Sequence, residues 1–250
     1  MKSKFNLSVA VLCTIIIIVA CKKNSTTTVP PNMPPPAGTK NLVYVYKNDS
    51  SDGVSFRNLL KVNGCSVTLI DRSVAAAFDY SAYDLIVMGG NSDSLKSAKF
   101  TWPVADALTI RNTNKPILLL GAGGLLFAEA MGDTVNWGGS AGNILTSFLV
   151  VDSSLSLYKT PKAISIPANQ QLTIYTNPSK LASFYVKSTP VHNVLLMGEE
   201  DDIGNSKYYP ISVDSVKFVD FGFYANMDAM TPTGKDFFVN LVFYTINLGQ

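Results

Sequence analysis

The chain has 250 residues, of which 47% are hydrophobic and 15% are charged. Five of its 20 basic residues and none of its 18 acidic ones lie within residues 1–40, which leaves 15 basic against 18 acidic groups beyond them, a formal charge of −3. This balance excludes a strongly basic nucleic-acid-binding domain, and the apolar content excludes an intrinsically disordered chain.

The N-terminus has the features of a bacterial export signal. Lys2 and Lys4 precede an apolar run over 5–20, which is shorter than the roughly 20 residues that a membrane-spanning helix needs. The run ends in Ile18-Val19-Ala20-Cys21, which resembles the bacterial lipobox. The resemblance implies that 1–20 is a signal peptide and that Cys21 is lipidated, which would anchor the protein to a membrane. The alternative is a plain secretory signal, or a signal anchor, with an incidental cysteine.

Residues 21–40 are predicted to form a tether, because five prolines and a Ser/Thr cluster favour an extended chain. Lys22 follows Cys21 where an aspartate would favour the inner membrane, so we expect a lipoprotein of the outer membrane, on its periplasmic or surface face. Signal cleavage removes Cys13 and the lipid occupies Cys21, so Cys65 remains as the single thiol and no internal disulfide is expected. The folded domain is predicted to span 41–250.

Short apolar runs alternate with helical stretches in the first half of this domain. Strands are predicted over 41–46, 66–70, 84–88 and 115–120, and helices over 52–63, 94–112 and 125–131. Strands that are apolar throughout and alternate with helices indicate an α/β, flavodoxin-like, doubly wound fold with a mostly parallel sheet. Further strands are predicted over 145–151, 163–166, 172–175, 194–197 and 216–224, before a final helix over 234–247 that Thr231 caps.

Three segments follow one another in a recognisable order. Residues 84–90 (DLIVMGG) are a strand with a glycine turn, and 115–132 (KPILLLGAGGLLFAEAMG) are a strand, a glycine-rich turn and a helix. Residues 218–246 are a strand, a Tyr-Ala-Asn segment and a last helix. In this order the segments resemble the class I glutamine-amidotransferase-like superfamily, nearest to its ThuA-like and biotin-ligase-N-terminal-like branches. The resemblance covers 41–150 and 205–250 and implies the flavodoxin-like fold.

The resemblance also implies that the catalytic triad is lost. Gly123 stands at the position of the cysteine nucleophile, Tyr224 at the general-base histidine, and Asn226 at the carboxylate that orients this histidine. Glycine offers no nucleophile, and a tyrosine with a pKa of about 10 is a poor base at neutral pH. We therefore expect no catalysis by these residues. We expect a pocket to remain at the carboxyl ends of the strands, where backbone N–H groups bind anions or carbonyl oxygens. Its candidate residues are Gly89, Gly90, Asn91, Ser92, Gly123, Gly124, Tyr224 and Asn226.

A second glycine-rich motif leaves a serine hydrolase open. Residues 138–142 (GGSAG) match G-x-S-x-G, and Ser140, Asp152 and His192 follow the chain order of the α/β-hydrolase triad. The motif lacks the strong preceding strand that a nucleophile elbow requires, which favours a simple loop. His192, the only histidine, is expected at a loop or strand edge.

An acidic run offers a possible metal site. Glu199, Glu200, Asp201 and Asp202, with Asn205 nearby, provide oxygen ligands of the kind that Ca²⁺ prefers. Their spacing is not that of an EF-hand, which favours a solvated turn, so we expect no metal and no cofactor.

These observations favour an envelope-anchored protein that binds a carbohydrate or another small polar ligand without catalysis. The expectation that the ligand is a carbohydrate rests on the ThuA-like resemblance and not on any single residue. We expect contact with a membrane through the lipid on Cys21 and none with nucleic acid, and we leave a protein partner open. One alternative is a hydrolase that uses Ser140 with His192, or a metal on the acidic run. The other is a structural subunit of an envelope complex.

Overall fold

The structure, a computed structural model, describes residues 38–93, 102–132, 144–180, 184–185, 194–199, 208–214, 217–224 and 226–250. The strands are β1 Lys40–Tyr46, β2 Cys65–Asp71, β3 Leu85–Met88, β4 Ile117–Leu120, β5 Ile144–Leu145, β6 Ser147–Val150, β7 Gln171–Thr173, β8 Ser179–Lys180, β9 Phe184–Tyr185, β10 Val194–Glu199, β11 Tyr208–Tyr209, β12 Ile211–Asp214 and β13 Phe218–Phe221. The helices are α1 Ser51–Lys61, α2 Arg72–Ala75, α3 Val104–Arg111, α4 Gly121–Ala130 and α5 Pro232–Asn247.

Nine of the strands form one sheet in the order β2-β1-β3-β4-β13-β12-β10-β6-β7. The first five strands in that order are parallel to one another. The other four continue the sheet through antiparallel pairings. Two small two-stranded sheets, β11-β9 and β5-β8, complete the described strands. The parallel part has the strand order of flavodoxin-like folds, so the predicted fold class is confirmed.

Helices cover both faces of the parallel strands. Along β1, Leu42 and Tyr44 point to one face, where α1 and α5 bury residues such as Phe56 and Phe238. Val43 and Val45 point to the other face, where residues of α2, α3 and α4 form a second core. Every residue of β3 and β4 is buried, as expected for strands that are packed on both sides.

Several predicted helix boundaries have a visible physical cause. Gly64, which follows α1, has a φ of +83°, a backbone conformation that favours glycine. The N–H of Gly234 donates to Oγ1 of Thr231 at 2.9 Å, which confirms the predicted cap of the last helix. For the helix predicted over 94–112, the described residues show α3 beginning at Val104, directly after the extended Pro103. By contrast, α4 begins at Gly121, four residues before the predicted start at 125.

The strand predicted over 163–166 is wrong. No regular element forms there: the N–H of Ile164 donates to the carbonyl of Tyr158 at 2.9 Å, and the backbone just before this segment bonds to a side chain of α5. Asn240 Oδ1 accepts from the N–H of Lys162 at 2.8 Å, and Asn240 Nδ2 donates to the carbonyls of Lys162 (2.7 Å) and Leu157 (2.8 Å). The apolar pattern that suggested a strand reflects the half-buried Ile164 and Ile166, which pack against the core.

Within the described residues, no helix is both long enough and apolar enough to cross a membrane. Cys65 is buried, with its thiol in no disulfide.

Candidate functional site

Three connections meet at the carboxyl edge of the parallel strands. They are the glycine turn after β3, the turn from β4 into α4, and the segment after β13. The structure brings Gly89, Gly90 and Ser92 against Gly123, and it places Tyr224 beside Gly121. The crevice predicted from strand topology is therefore where the candidate residues lie, but its detailed geometry differs from expectation.

Gly123 occupies a closed position. Its N–H donates to the carbonyl of Gly90 at 3.0 Å, so this N–H is not available to a ligand as we expected. A Cβ at this position would run into the Gly89 carbonyl oxygen and lie 2.8 Å from that of Gly90. These are backbone atoms, which cannot move aside as a flexible side chain can. The position assigned to the nucleophile therefore has no room for any side chain.

The sharp turn of the elbow lies two residues earlier, at Gly121. This residue has a φ of +48° and links β4 directly to α4. A nucleophile elbow places its reactive residue on such a strained strand-to-helix turn. A Cβ on Gly121 would lie 3.2 Å from Cδ1 of Tyr224, so this position faces the residue that replaces the base. The family resemblance did not single out Gly121, although this residue directly follows the apolar run of β4.

Ser92 fills the space beside Gly123. Its Oγ would lie 2.7 Å from a Cβ on Gly123, and the residue has no exposed surface. Among the described residues, this hydroxyl has no hydrogen-bond partner. Ser92 thus occupies volume that a nucleophile side chain on residue 123 would need.

Tyr224 is half-buried at the end of β13. Burial raises the pKa of its hydroxyl above the ordinary value, which makes it a still poorer base at neutral pH than the sequence indicated. Its backbone N–H donates to Oγ of the buried Ser179 at 3.2 Å.

Asn226 is directed towards α1 and not towards the elbow. Its Oδ1 accepts from the N–H of Asp228 at 2.8 Å, and its Nδ2 donates to Oδ1 of Asp52 at 3.1 Å. Asp228 in turn accepts from Oγ of Ser55 at 2.6 Å. Asn226, which stands at the position of the orienting carboxylate, therefore belongs to a local hydrogen-bond network that joins α1 to the segment after β13.

An acidic group, which we call the acidic cluster, consists of Asp49, Asp52 and Asp228. Burial raises the pKa of Asp52, and the nearby charges of Asp49 and Asp228 raise it further, whereas the hydrogen bond from Asn226 lowers it. Asp49 and Asp228 are exposed. Sequence reasoning did not find these residues, because α1 and the segment after β13 are more than 170 positions apart.

A second charged group lies over the opposite face of the sheet. Oδ1 of the fully buried Asp93 is 3.2 Å from Nη1 of Arg72 and 3.6 Å from Nζ of Lys47. The guanidinium carbon of Arg72 lies 4.6 Å from the ring centroid of Trp102. Lys47, Arg72 and Asp93 follow β1, β2 and β3, which brings them to the same edge.

Two predicted pocket residues have other roles. A Cβ on Gly124 would lie 2.6 Å from the carbonyl carbon of Leu119, so Gly124 allows α4 to pack on β4 and does not line the crevice. Asn91 donates through Nδ2 to the carbonyl of Asp49, which ties the turn after β3 to the start of α1. Neither Asn91 nor Ser92 caps α3, which begins at Val104.

Most residues of the other predicted sites, namely the lipidation site, the serine-hydrolase motif and the acidic run, lie outside the described residues. This holds for Cys21, Ser140, His192, Asn205 and residues 200–202. Glu199 is the last residue of β10. Asp152 bonds locally, because Oδ1 accepts from the N–H of Ser154 at 2.8 Å. Among the residues that the structure describes, no group of three or more His, Cys, Asp or Glu side chains could hold a metal ion.

Comparison with known proteins supports the fold. No protein-family model matches the chain, and no curated protein matches it in sequence. Among solved structures, a GMP synthase subunit homologue from Thermoplasma acidophilum is similar, with 12% identity over 84% of this chain and 94% of that chain and a TM-score of 0.55. PurLQS from Thermotoga maritima matches with 12% identity over 81% and 97% of the two chains and a TM-score of 0.49. A glutamine amidotransferase from Thermotoga maritima matches with 12% identity over 74% and 75% and a TM-score of 0.47.

The first of these likenesses confirms the amidotransferase-like fold that the sequence resemblance implied. At 12% identity it carries the fold alone. Function has to be argued from the residues at the edge of the sheet.

Proposed function

We propose that this domain binds a small polar ligand, most simply a carbohydrate, without turning it over. The observation that carries the proposal is the closed elbow. Residue 123 has no room for a side chain, and residue 121, which has the strained geometry of a nucleophile, is also a glycine. A nucleophile and a base that activates it are the minimum for covalent catalysis, and both positions lack them.

The groups on the α1 side of this edge and the ring of Tyr224 suit a ligand rich in hydroxyls. The acidic cluster and Asn226 provide carboxylate and amide oxygens that accept hydrogen bonds from hydroxyl donors. The half-buried ring of Tyr224 offers an apolar surface on which a sugar ring can stack. On this side of the crevice the charge is negative, which argues against the simple anion that a helix N-terminus would favour.

We further propose that the domain works at the bacterial outer membrane, anchored through the lipid on Cys21. The lipobox-like ending of the N-terminal apolar run supports this location. The ThuA-like branch remains our proposal for the nearest relatives within the superfamily.

A thermal-unfolding screen tests the proposed function. The chain from residue 22 onward is melted with neutral sugars, acidic sugars, glycan oligomers, peptidoglycan fragments, amino acids and divalent cations. A ligand at 100 times its dissociation constant stabilises the native state by about 2.7 kcal/mol, a shift of several degrees. We expect a sugar to raise the melting temperature and to be recovered unchanged.

Two variants place the ligand. Tyr224→Leu keeps an apolar side chain but removes the ring, and Asp228→Asn removes one exposed carboxylate, so both should reduce the shift. Asp79→Asn is the matched control, because Asp79 is also an exposed aspartate whose carboxylate accepts a hydrogen bond, here from the N–H of Ser81 at 2.9 Å. A screen without any shift, or a ligand that is consumed, would contradict the proposal.

A further inference from the structure

We propose that the bound sugar carries a carboxylate, as a uronic acid does, and that Lys47, Arg72, Ser92 and Trp102 bind this acidic group. We call these four residues the donor cluster. The inference rests on the proposed function, because it names the class of sugar that would bind at this same edge of the sheet.

The donor cluster is rich in groups that can only donate. The ammonium of Lys47, the guanidinium of Arg72 and the indole N–H of Trp102 have no acceptor, and the hydroxyl of Ser92 can also donate. Asp93 offers Oδ1 to both cations, at 3.2 Å from Arg72 and 3.6 Å from Lys47. The Lys47 side chain is 32% exposed, so its remaining N–H donors can also bind the carboxylate of a ligand.

Within the part of the chain that the structure describes, two buried polar atoms of the cluster have no hydrogen-bond partner. They are Nε1 of Trp102, a residue 3% exposed, and Oγ of Ser92, a residue with no exposed surface. Buried polar groups are nearly always hydrogen-bonded, so an unpartnered donor in a native structure calls for an explanation. The oxygens of a ligand carboxylate would be suitable acceptors for both.

Arg72 connects these two residues. Its Nη1 lies 3.5 Å from the carbonyl oxygen of Ser92, and its guanidinium carbon lies 4.6 Å from the ring centroid of Trp102. The indole is held in turn by Phe127, with the ring centroids 5.0 Å apart. The donors are thus fixed before a ligand arrives, which lowers the ordering cost of binding.

The position of the cluster in the sheet supports a ligand site. Lys47 follows β1 and Ser92 follows β3, and these neighbouring strands flank the topological switch point of the flavodoxin-like order, where ligands bind in such sheets. The Lys47 side chain is 32% exposed and that of Arg72 is 14% exposed, so a ligand meets these two cations first, and its carboxylate has to enter beyond them to contact the buried Ser92 and Trp102. Asp71, the acid next to Arg72, accepts from Ser73 and Asn48 and stays ionised, so the cluster would select its ligand through its donor groups and not through an excess of positive charge.

Matched sugar pairs test the inference. Glucuronate and glucose, galacturonate and galactose, and mannuronate and mannose differ at one carbon, which carries a carboxylate or a hydroxymethyl group. Titration calorimetry on the chain from residue 22 onward should show that one uronate binds at least about tenfold more tightly than its hexose, because hydrogen bonds to a charged group are the stronger ones. A higher salt concentration should weaken the binding of the uronate and leave the binding of the hexose unchanged.

Three variants locate the carboxylate. Trp102→Phe keeps a ring against Phe127 and Arg72 but lacks the N–H, Ser92→Ala removes only the hydroxyl, and Lys47→Gln removes one cation. Each should weaken uronate binding about fivefold and leave hexose binding unchanged. Neither Trp102→Phe nor Ser92→Ala should lower the melting temperature of the unliganded protein, because each removes an atom that has no partner.

The outcomes separate the two proposals. A hexose that binds as tightly as its uronate, or uronate binding that all three variants leave unchanged, overturns the inference and leaves the proposed function standing. Acetate or inorganic phosphate that binds as tightly as the uronate also overturns it, since the site would then recognise an anion without the sugar. If no sugar of either kind binds, both proposals fail.

Discussion

At the residue scale, the acidic cluster shows how burial changes the behaviour of one carboxyl. Asp52 has a raised pKa in the native state, mainly because it is partly buried. The native protein therefore binds a proton at Asp52 more readily than the unfolded chain does, so this residue costs stability at neutral pH. That cost disappears as the pH falls through its native pKa towards the unfolded value of about 4.

We predict that Asp52→Asn stabilises the protein at pH 7 and that its advantage over the wild type shrinks as the pH is lowered towards 4. The amide still offers an oxygen to Nδ2 of Asn226, so the network of the wild type can be kept. The measurement is the melting temperature of both proteins across this pH range.

Asp71→Asn is the control with the opposite sign. Hydrogen bonds from the hydroxyl and the N–H of Ser73 hold the pKa of Asp71 below its ordinary value. Asp71 therefore contributes stability above an unfolded pKa of about 4, and loses it as the pH falls through the lower native value. Its amide variant should be less stable than the wild type at pH 7. If both variants shift stability in the same direction at pH 7, our account of the two carboxyls is wrong.

At the element scale, the side chain of Asn240 in α5 supplies the hydrogen bonds that a neighbouring strand would otherwise give to the backbone around residue 162. We predict that Asn240→Leu, a change of similar volume, lowers the free energy of unfolding by about 3 kcal/mol, because three hydrogen bonds are lost and buried backbone groups stay unpaired. Urea unfolding measures the change. Asn247→Leu, the same substitution at the half-buried end of this helix, should have little effect. Equal losses in the two variants would contradict the role given to Asn240.

The same contact explains which elements the sequence could predict. The first four predicted strands lie within two residues of their predicted ends, since each is a short apolar run, and β3 and β4 are buried on both faces. The fifth parallel strand, β13, ends three residues before its predicted end. The segment over 163–166 also carries apolar residues, but the N–H of Ile164 bonds back to Tyr158, and Lys162 just before it bonds to Asn240, 78 positions away in the chain. The antiparallel strands β12, β10, β6 and β7 depend likewise on distant pairings, so their order could not be inferred from local pattern.

At the scale of the whole molecule, the site was predicted in its outline and not in its chemistry. Motif order placed Gly123, Tyr224 and Asn226 at one edge of the sheet. It did not indicate that backbone carbonyls close the position of Gly123, or that Asn226 faces Asp52. It also missed Arg72 and Trp102, because these residues meet through packing and share no motif.

The proposed anchor also acts on the whole molecule. We predict that Cys21→Ser moves the protein from the membrane fraction to the soluble fraction of the cell envelope, because no acyl chain can then be attached. Cys13→Ser, the same change within the apolar run, should leave the protein in the membrane fraction. Fractionation followed by immunoblotting distinguishes these outcomes. Membrane retention of Cys21→Ser would refute the lipoprotein proposal.

The central claim is that the elbow is closed, and a pair of glycine variants tests it most directly. Alanine at position 123 gains helix propensity but drives its Cβ into the carbonyls of Gly89 and Gly90. Alanine at position 90 places its Cβ 3.6 Å from the nearest atom, the Leu120 carbonyl oxygen, which is an ordinary contact. Urea unfolding should show that Gly123→Ala loses at least about 2 kcal/mol, as overpacking against backbone does, whereas Gly90→Ala stays close to the wild type. If Gly123→Ala is as stable as Gly90→Ala, the nucleophile position is open and the argument for a non-catalytic site fails.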